Sequence, residues 1–195
     1  MIYPIIAYGD PVLRKETRDI EKGEIDLKKL AEDMFETMEN ASGVGLAAPQ
    51  IGLDLRIFVV DGTPIYESEE DEEERDESLK DFRKVFINAD ILEEDGDEWA
   101  YEEGCLSIPD VRADVFRPEE VTIRYFDTDW NEHTETYTDM AARIIQHEYD
   151  HIEGILFTDK ISSLKKRLIQ KKLKNITEGK TFQDYRMRFV AKKGR

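Results

Sequence analysis

Between residues 25 and 39 the apolar positions Ile25, Leu27, Leu30, Met34, Phe35 and Met38 recur mainly at spacings of three and four, the period of a helix with one buried face. Asp26, at the front of the run, is placed to cap it. Small residues and glycine follow at 41–54, and then Arg56, Ile57, Phe58, Val59 and Val60 read as a buried strand. Residues 85–91 and 98–108 look like further strands, and 121–126 and 132–137 flank a polar turn, DTDWN, at 127–131. Helical spacing returns at Met140 and runs through Ile144, Ile145, Tyr149 and Ile152 to Gly154, with Thr138 or Asp139 as the N-cap. A basic amphipathic helix is expected over 163–175, and TFQDYRMRFV at 181–190 alternates enough for a last strand. Strands and helices are segregated rather than alternating, which predicts an α+β fold: antiparallel or mixed sheets around a central helix.

Composition narrows this picture. The 195 residues suffice for one domain spanning 1–195 with a real core. The net charge of −17 argues against binding a phosphate backbone or an anionic membrane. Nearly half of that excess lies in ESEEDEEERDE at 67–77, nine carboxylates against one arginine. Such a run buries nothing by itself and is expected to be a disordered or solvated loop between strands, ending near Phe82. There is no apolar stretch of the ~18 residues that a bilayer span requires, and MIYPIIAYGDP has no basic leader followed by a long apolar core. The single cysteine, Cys105, forbids an internal disulfide and suits a reducing compartment. The expectation is a soluble cytoplasmic monomer that does not read nucleic-acid sequence.

The chemistry gathers in HEYDH at 147–151. His147 and His151, four residues apart on a helix, share a face and can reach one ion, with Glu148 beside them as acid/base. His133, in the hairpin, reads as a surface residue. A catalytic ion usually takes three protein ligands. Phe157 occupies the position where a metzincin has its third histidine, which removes that family. The helix expected at 163–175 offers no glutamate of the thermolysin kind, and Glu178 falls in a turn, so that alternative is weak. Cys105, after the accommodating Gly104, is the strongest remaining ligand, although a lone cysteine is more often a small hydrophobe.

These residues resemble the peptide deformylases. GVGLAAPQ at 43–50, EGCLS at 103–107 and QHEYDH at 146–151 match three motifs of that family in order, and YGDPVLR at 8–14 resembles its usual opening. The likeness spans roughly 5–160. It implies hydrolysis of the N-formyl group from the initiator methionine of nascent chains, releasing formate. It implies Cys105, His147 and His151 as ligands of one divalent ion, characteristically Fe²⁺, with Zn²⁺, Ni²⁺ or Co²⁺ able to replace it. Water held by that ion attacks, with Glu148 as acid/base, and Gln50 and the backbone N–H of Leu106 meet the formyl oxygen. Gly43 and Gly45 would let the chain run close to substrate. Val44, Met140 and Ile144 are candidates for the methionine pocket by proximity to the motifs. Arg112 and Arg117 are candidates for substrate backbone or carboxylate, with a surface role the plainer reading, and Glu103 for orienting a ligand. The basic extension at 163–195, with twelve Lys/Arg against Glu178 and Asp184, is ordinarily a solvated face. Its functional reading is docking on ribosomal RNA.

Overall fold

The computed structural model describes residues 1–190; residues 191–195 of the basic extension lie outside the described residues. Strand β1 (Ile5–Ile6) leads through a 3₁₀ turn to helix α1 (Leu27–Asn40). Asp26 accepts the Lys29 N–H at 3.0 Å and caps α1 as the sequence predicts. Strands β2 (Gly45–Ala47), β3 (Ile57–Asp61), β4 (Arg83–Cys105), β5 (Ile108–Phe126) and β6 (Glu132–Thr138) pair in that order into one antiparallel sheet. Helix α2 (Thr63–Ser68) lies between β3 and β4, and helix α3 (Asp139–Ile152) follows β6. Helix α4 (Ser163–Thr177) precedes β7 (Met187–Arg188), which pairs in parallel with β1 as a separate two-stranded sheet.

The side-chain alternation of β3 shows how the layers form. Phe58 and Val60 join the core beneath α3, together with Phe86, Ala141 and Ile145. Ile57 and Val59, on the other face, join the core beneath α1 with Met34 and Met38. Because successive strand residues point to opposite faces, an unbroken apolar run is what a strand buried on both sides needs. A third core, with Leu13, Val115, Phe157, Ile169 and Ile176, joins α4 to the β5 side.

Three expectations change. Residues 85–91 and 98–105 are parts of one long strand, β4, interrupted by register shifts rather than by loops, while Leu106 and Ser107 form the turn into β5. Residues 109–120, not anticipated as strand, complete its partner β5; the alternation of Val111, Ala113 and Val115 as buried positions carries that signal.

The acidic run is not an unstructured loop. It opens on α2 and continues through 3₁₀ turns at Glu72–Glu74 and Glu77–Leu79. Its ends are tied by the Gly62 N–H donating to the Phe82 carbonyl at 2.8 Å, and Leu79 is fully buried. Thr138 takes the N-cap position of α3 as expected, but its side chain makes no capping bond. Instead the Met140 N–H donates to Asp76 Oδ2 at 3.2 Å and the Ala141 N–H to Ser78 Oγ at 3.1 Å. A remote, mostly acidic segment thus serves the positive end of the site helix, where its carboxylate also faces the favourable end of the helix dipole. Gly154 ends α3 in the left-handed region as expected, at φ 72°. No helix among the described residues is long and apolar enough to cross a membrane.

Substituting Asp76 and Ser78 together by alanine is expected to lower unfolding free energy by about 1–3 kcal/mol, from the usual value of such caps, read as a shifted urea midpoint at constant slope. A midpoint unchanged from wild type would show that the acidic run does not support α3.

Candidate metal centre

Cys105 ends β4 at a register shift: Gly104 pairs with Arg112, but Cys105 with Ile108, so residues 109–111 loop out of the ladder. This offset turns the thiol from the sheet toward α3. His147 and His151, one helical turn apart, hold their rings 5.1 Å centroid to centroid. The donor atoms of Cys105, His147 and His151 all lie within 4.8 Å of one another, with Cys105 Sγ 3.3 Å from His151 Nε2. One thiol and two imidazoles so placed suit a single ion with a coordination position left for a reactant.

The surrounding hydrogen bonds test that fit. His147 Nδ1 lies 2.9 Å from Glu103 Oε2. A carboxylate can only accept, so Nδ1 carries the proton and Nε2 keeps its lone pair for the ion. Glu103 itself takes two bonds from Arg117, at 2.7 and 3.0 Å, and one from Arg143 at 2.8 Å. Arg117 also reaches Asp150 at 2.7 Å. Burial would push the Glu103 carboxyl up, but hydrogen bonds from His147 and Arg117 and their charges hold it below the usual carboxylate range. Burial likewise works against charge on Arg117, and Glu103 and Asp150 raise it above the usual arginine value. Arg117, given a surface role from the sequence, is 2% exposed and stands inside this network. His151 Nδ1, by contrast, is buried with no hydrogen-bond partner among the described residues.

Glu148 points from α3 toward β2. A side chain on Gly45 would place its Cβ 2.6 Å from Glu148 Cδ, so only glycine lets the carboxyl occupy this position. Burial pushes the Glu148 carboxyl up to about 7, against the opposing charges of His147 and Arg117. Its Oε2 has no hydrogen-bond partner among the described residues. Gln50 is fixed by its Oε1, which accepts the Ala47 N–H at 2.8 Å. Its Nε2 is thereby aimed at Cys105 Sγ and Ser107 Oγ, 3.4 Å from each.

Gly45, Gln50, Glu103, Cys105, His147 and Glu148 line a cleft of about 450 Å³. Val44, Gly45, Gln50, Leu106, Met140, Ile144 and Arg112 all face it, so the structure gathers the substrate-side residues named from sequence. His133 stays apart, 2.8 Å from Asp127 and stacked on Tyr125. Phe157 packs its ring against His147. Sequence reading missed Ile65 of α2, and Gln183 and Tyr185 of the C-terminal tail, all of which line the cleft. Their signals were weak: Ile65 adjoins an acidic run, and the tail carries no motif.

The profile for the polypeptide deformylase family matches residues 2–167. The chain belongs to the peptide deformylase family. Like its relatives it is an enzyme, a deformylase hydrolase, and the family is metal-dependent. The peptide deformylase of Christiangramia forsetii is 61% identical over 196 residues, covering 100% of both chains. The solved peptide deformylase of Thermotoga maritima is 38% identical with a TM-score of 0.72, covering 83% of this chain and 99% of that one. A solved peptide deformylase from Legionella pneumophila is 35% identical with a TM-score of 0.76, covering 91% and 96% respectively.

Glu103→Gln in this deformylase is expected to cost about 3–5 kcal/mol at pH 7, because it leaves buried guanidinium charge short of a counter-charge. Since the folded carboxyl titrates below its unfolded value, its contribution is present above about pH 4 and is lost as pH falls through the folded pKa. Urea unfolding from pH 7 to 2 should therefore show the variant losing less stability in acid than wild type. Parallel curves across that range would contradict the assignment.

Proposed function

We propose that this chain removes the N-formyl group from the initiator methionine of nascent polypeptides, releasing formate. The observation that carries this reading is the Cys105, His147 and His151 cluster with Glu148, next to His147 on the same helix, lodged in the space that Gly45 leaves. A divalent ion held by those three side chains would polarise the formyl carbonyl as a Lewis acid and ease deprotonation of water. The same donors fit Fe²⁺, Zn²⁺, Ni²⁺ and Co²⁺, and Fe²⁺ is the ion we assign in the cell. The reading places the enzyme in the cytoplasm, where nascent chains emerge, and treats 1–195 as a single catalytic domain. Support for the latter is that α2 and the tail both supply residues to the cleft.

Water adds to the formyl carbon, forming a C–O bond, and Glu148 accepts its proton. A carboxyl held near neutral pH by burial is well matched to take a proton and return it. The charge developing on the formyl oxygen meets the Gln50 amide and the Leu106 backbone N–H. Such donors, fixed before reaction, are each worth about 2.7–4 kcal/mol. As the C–N bond breaks, Glu148 returns the proton to the departing amine. The apolar end of the cleft, with Val44, Ile65, Met140 and Ile144, receives the methionine side chain. Arg112, exposed on the opposite wall, meets the peptide backbone or carboxylate.

A docking role for the basic extension has its own support. On α4 Leu164 and Leu168 are 69% and 68% exposed, one turn apart among Lys165, Lys166, Arg167 and Lys171. An apolar stripe within positive charge suits a ribosomal surface with RNA and protein together. Removing 163–195 would be a poor probe, because Ile169 and Ile176 belong to the core.

With Fe²⁺ loaded anaerobically, the enzyme should cleave a short formyl-Met peptide and leave acetyl-Met and internal peptide bonds intact. Glu148→Ala should lose at least about 10²-fold in kcat while retaining one equivalent of metal, whereas Cys105→Ala should lose the metal. Full activity in Glu148→Ala, or equal activity on the controls, would sink the proposal. For docking, the exposed pair Arg167→Glu and Lys171→Glu should reduce co-sedimentation with ribosomes without changing turnover of a free peptide. Undiminished co-sedimentation would remove that role.

A further inference from the structure

The cysteine-bearing turn is held from outside by the second, two-stranded sheet. β1 and β7 pair at Ile5 with Met187 and Ile6 with Arg188, and the Ile5 and Ala7 N–H groups donate to the Arg186 and Arg188 carbonyls at 2.9 Å each. From this sheet two bonds run to consecutive carbonyls of the turn. The Tyr185 hydroxyl donates to the Leu106 carbonyl at 2.8 Å, and the Tyr8 N–H donates to the Ser107 carbonyl at 2.8 Å. Tyr185 is half-buried, packs on the core that includes Met38 and Leu46, and lines the cleft beside Leu106. It also lies beyond residue 167, where the family profile ends.

We propose that Tyr185 is a positioning residue for deformylation, acting through the Leu106 backbone; this rests on the reading of the Leu106 N–H as a partner of the formyl oxygen. Cys105 fixes one side of Leu106 and the Tyr185 hydroxyl the other, so neither dihedral of Leu106 can turn freely. Its N–H is then aimed before charge develops, which is where such a donor has its value. The register shift between Gly104 and Cys105 interrupts the β4–β5 ladder immediately before this turn. An external hydrogen bond therefore supplies rigidity that the turn lacks by itself. The C-terminal tail becomes part of the catalytic apparatus rather than an appendage to it.

The test is Tyr185→Phe in the full-length metal-loaded enzyme, which keeps the ring and removes only the hydroxyl. Because misplacing a transition-state partner by about 1 Å can cost up to 10²-fold, kcat should fall about tenfold. KM for a formyl-Met peptide should stay within about twofold, and metal content and Tm should match wild type, since uniform substrate binding is untouched. Unchanged kcat overturns the proposal, as does a loss carried by KM or accounted for by lost metal or a lowered Tm. Gln50→Ala serves as the reference, expected to lose about 10²–10³-fold in kcat. If the reference falls and Tyr185→Phe does not, only the role of the tail is lost. If wild type does not cleave formyl-Met at all, the deformylase reading of the site is lost with it.

Discussion

The buried carboxylate of Glu103 is the constraint on which the site depends. It comes from β4, beside Gly104 and Cys105, and is bound by Arg117 of β5 and by Arg143 and His147 of α3. Two consecutive strands and a helix some forty residues further along are thereby locked at one charge. A buried ion pair adds little net stability over an apolar substitute. Its value here is geometric, because Glu103 sets the tautomer of His147 and the distance between helix and strand end together. Arg143 is held further by the Trp99 and Val115 carbonyls, at 2.6 and 3.0 Å, and lies over the Trp99 ring. The long β4–β5 hairpin thus braces the helix through Arg143.

Around that lock, close approach does what charge cannot. Gly45 gives Glu148 space in an edge strand, and burial in that space raises its carboxyl into the range where proton transfer is useful. The same strand leads to Gln50, whose amide is oriented by the Ala47 backbone rather than by any charged group. The GVGLAAPQ segment works through missing side chains and backbone donors. This is why periodicity said little about it and the motif said a great deal.

Two segments that composition would set aside complete the site. The segment between β3 and β4 that carries the acidic run caps α3 through Asp76 and Ser78, inserts Leu79 into the core and brings Ile65 to the cleft. The tail brings Tyr185 to the Leu106 carbonyl through the β1–β7 pairing. Neither role can be inferred from charge counts, because each depends on one or two residues docked among many that stay in solvent.

The sequence by itself determined the local elements with strong periodicity or caps: α1 with Asp26, α3 to Gly154, α4, and the strand built on Phe58 and Val60. It also pointed to His147, Glu148 and His151 through helical spacing and to Cys105 as the remaining strong ligand type, while Gln50 came only from the likeness to the deformylase motifs. It misread Arg117, since an arginine in a segment not recognised as strand looks solvent-facing until its partners are known. It divided β4 and overlooked the first part of β5, because register shifts and scattered charge obscure period two. Only the tertiary structure decided which carboxylate holds His147, which remote segment caps α3 and which tail residue reaches Leu106. Those are contacts between residues tens of positions apart, and no local preference of the chain encodes which distant partner arrives.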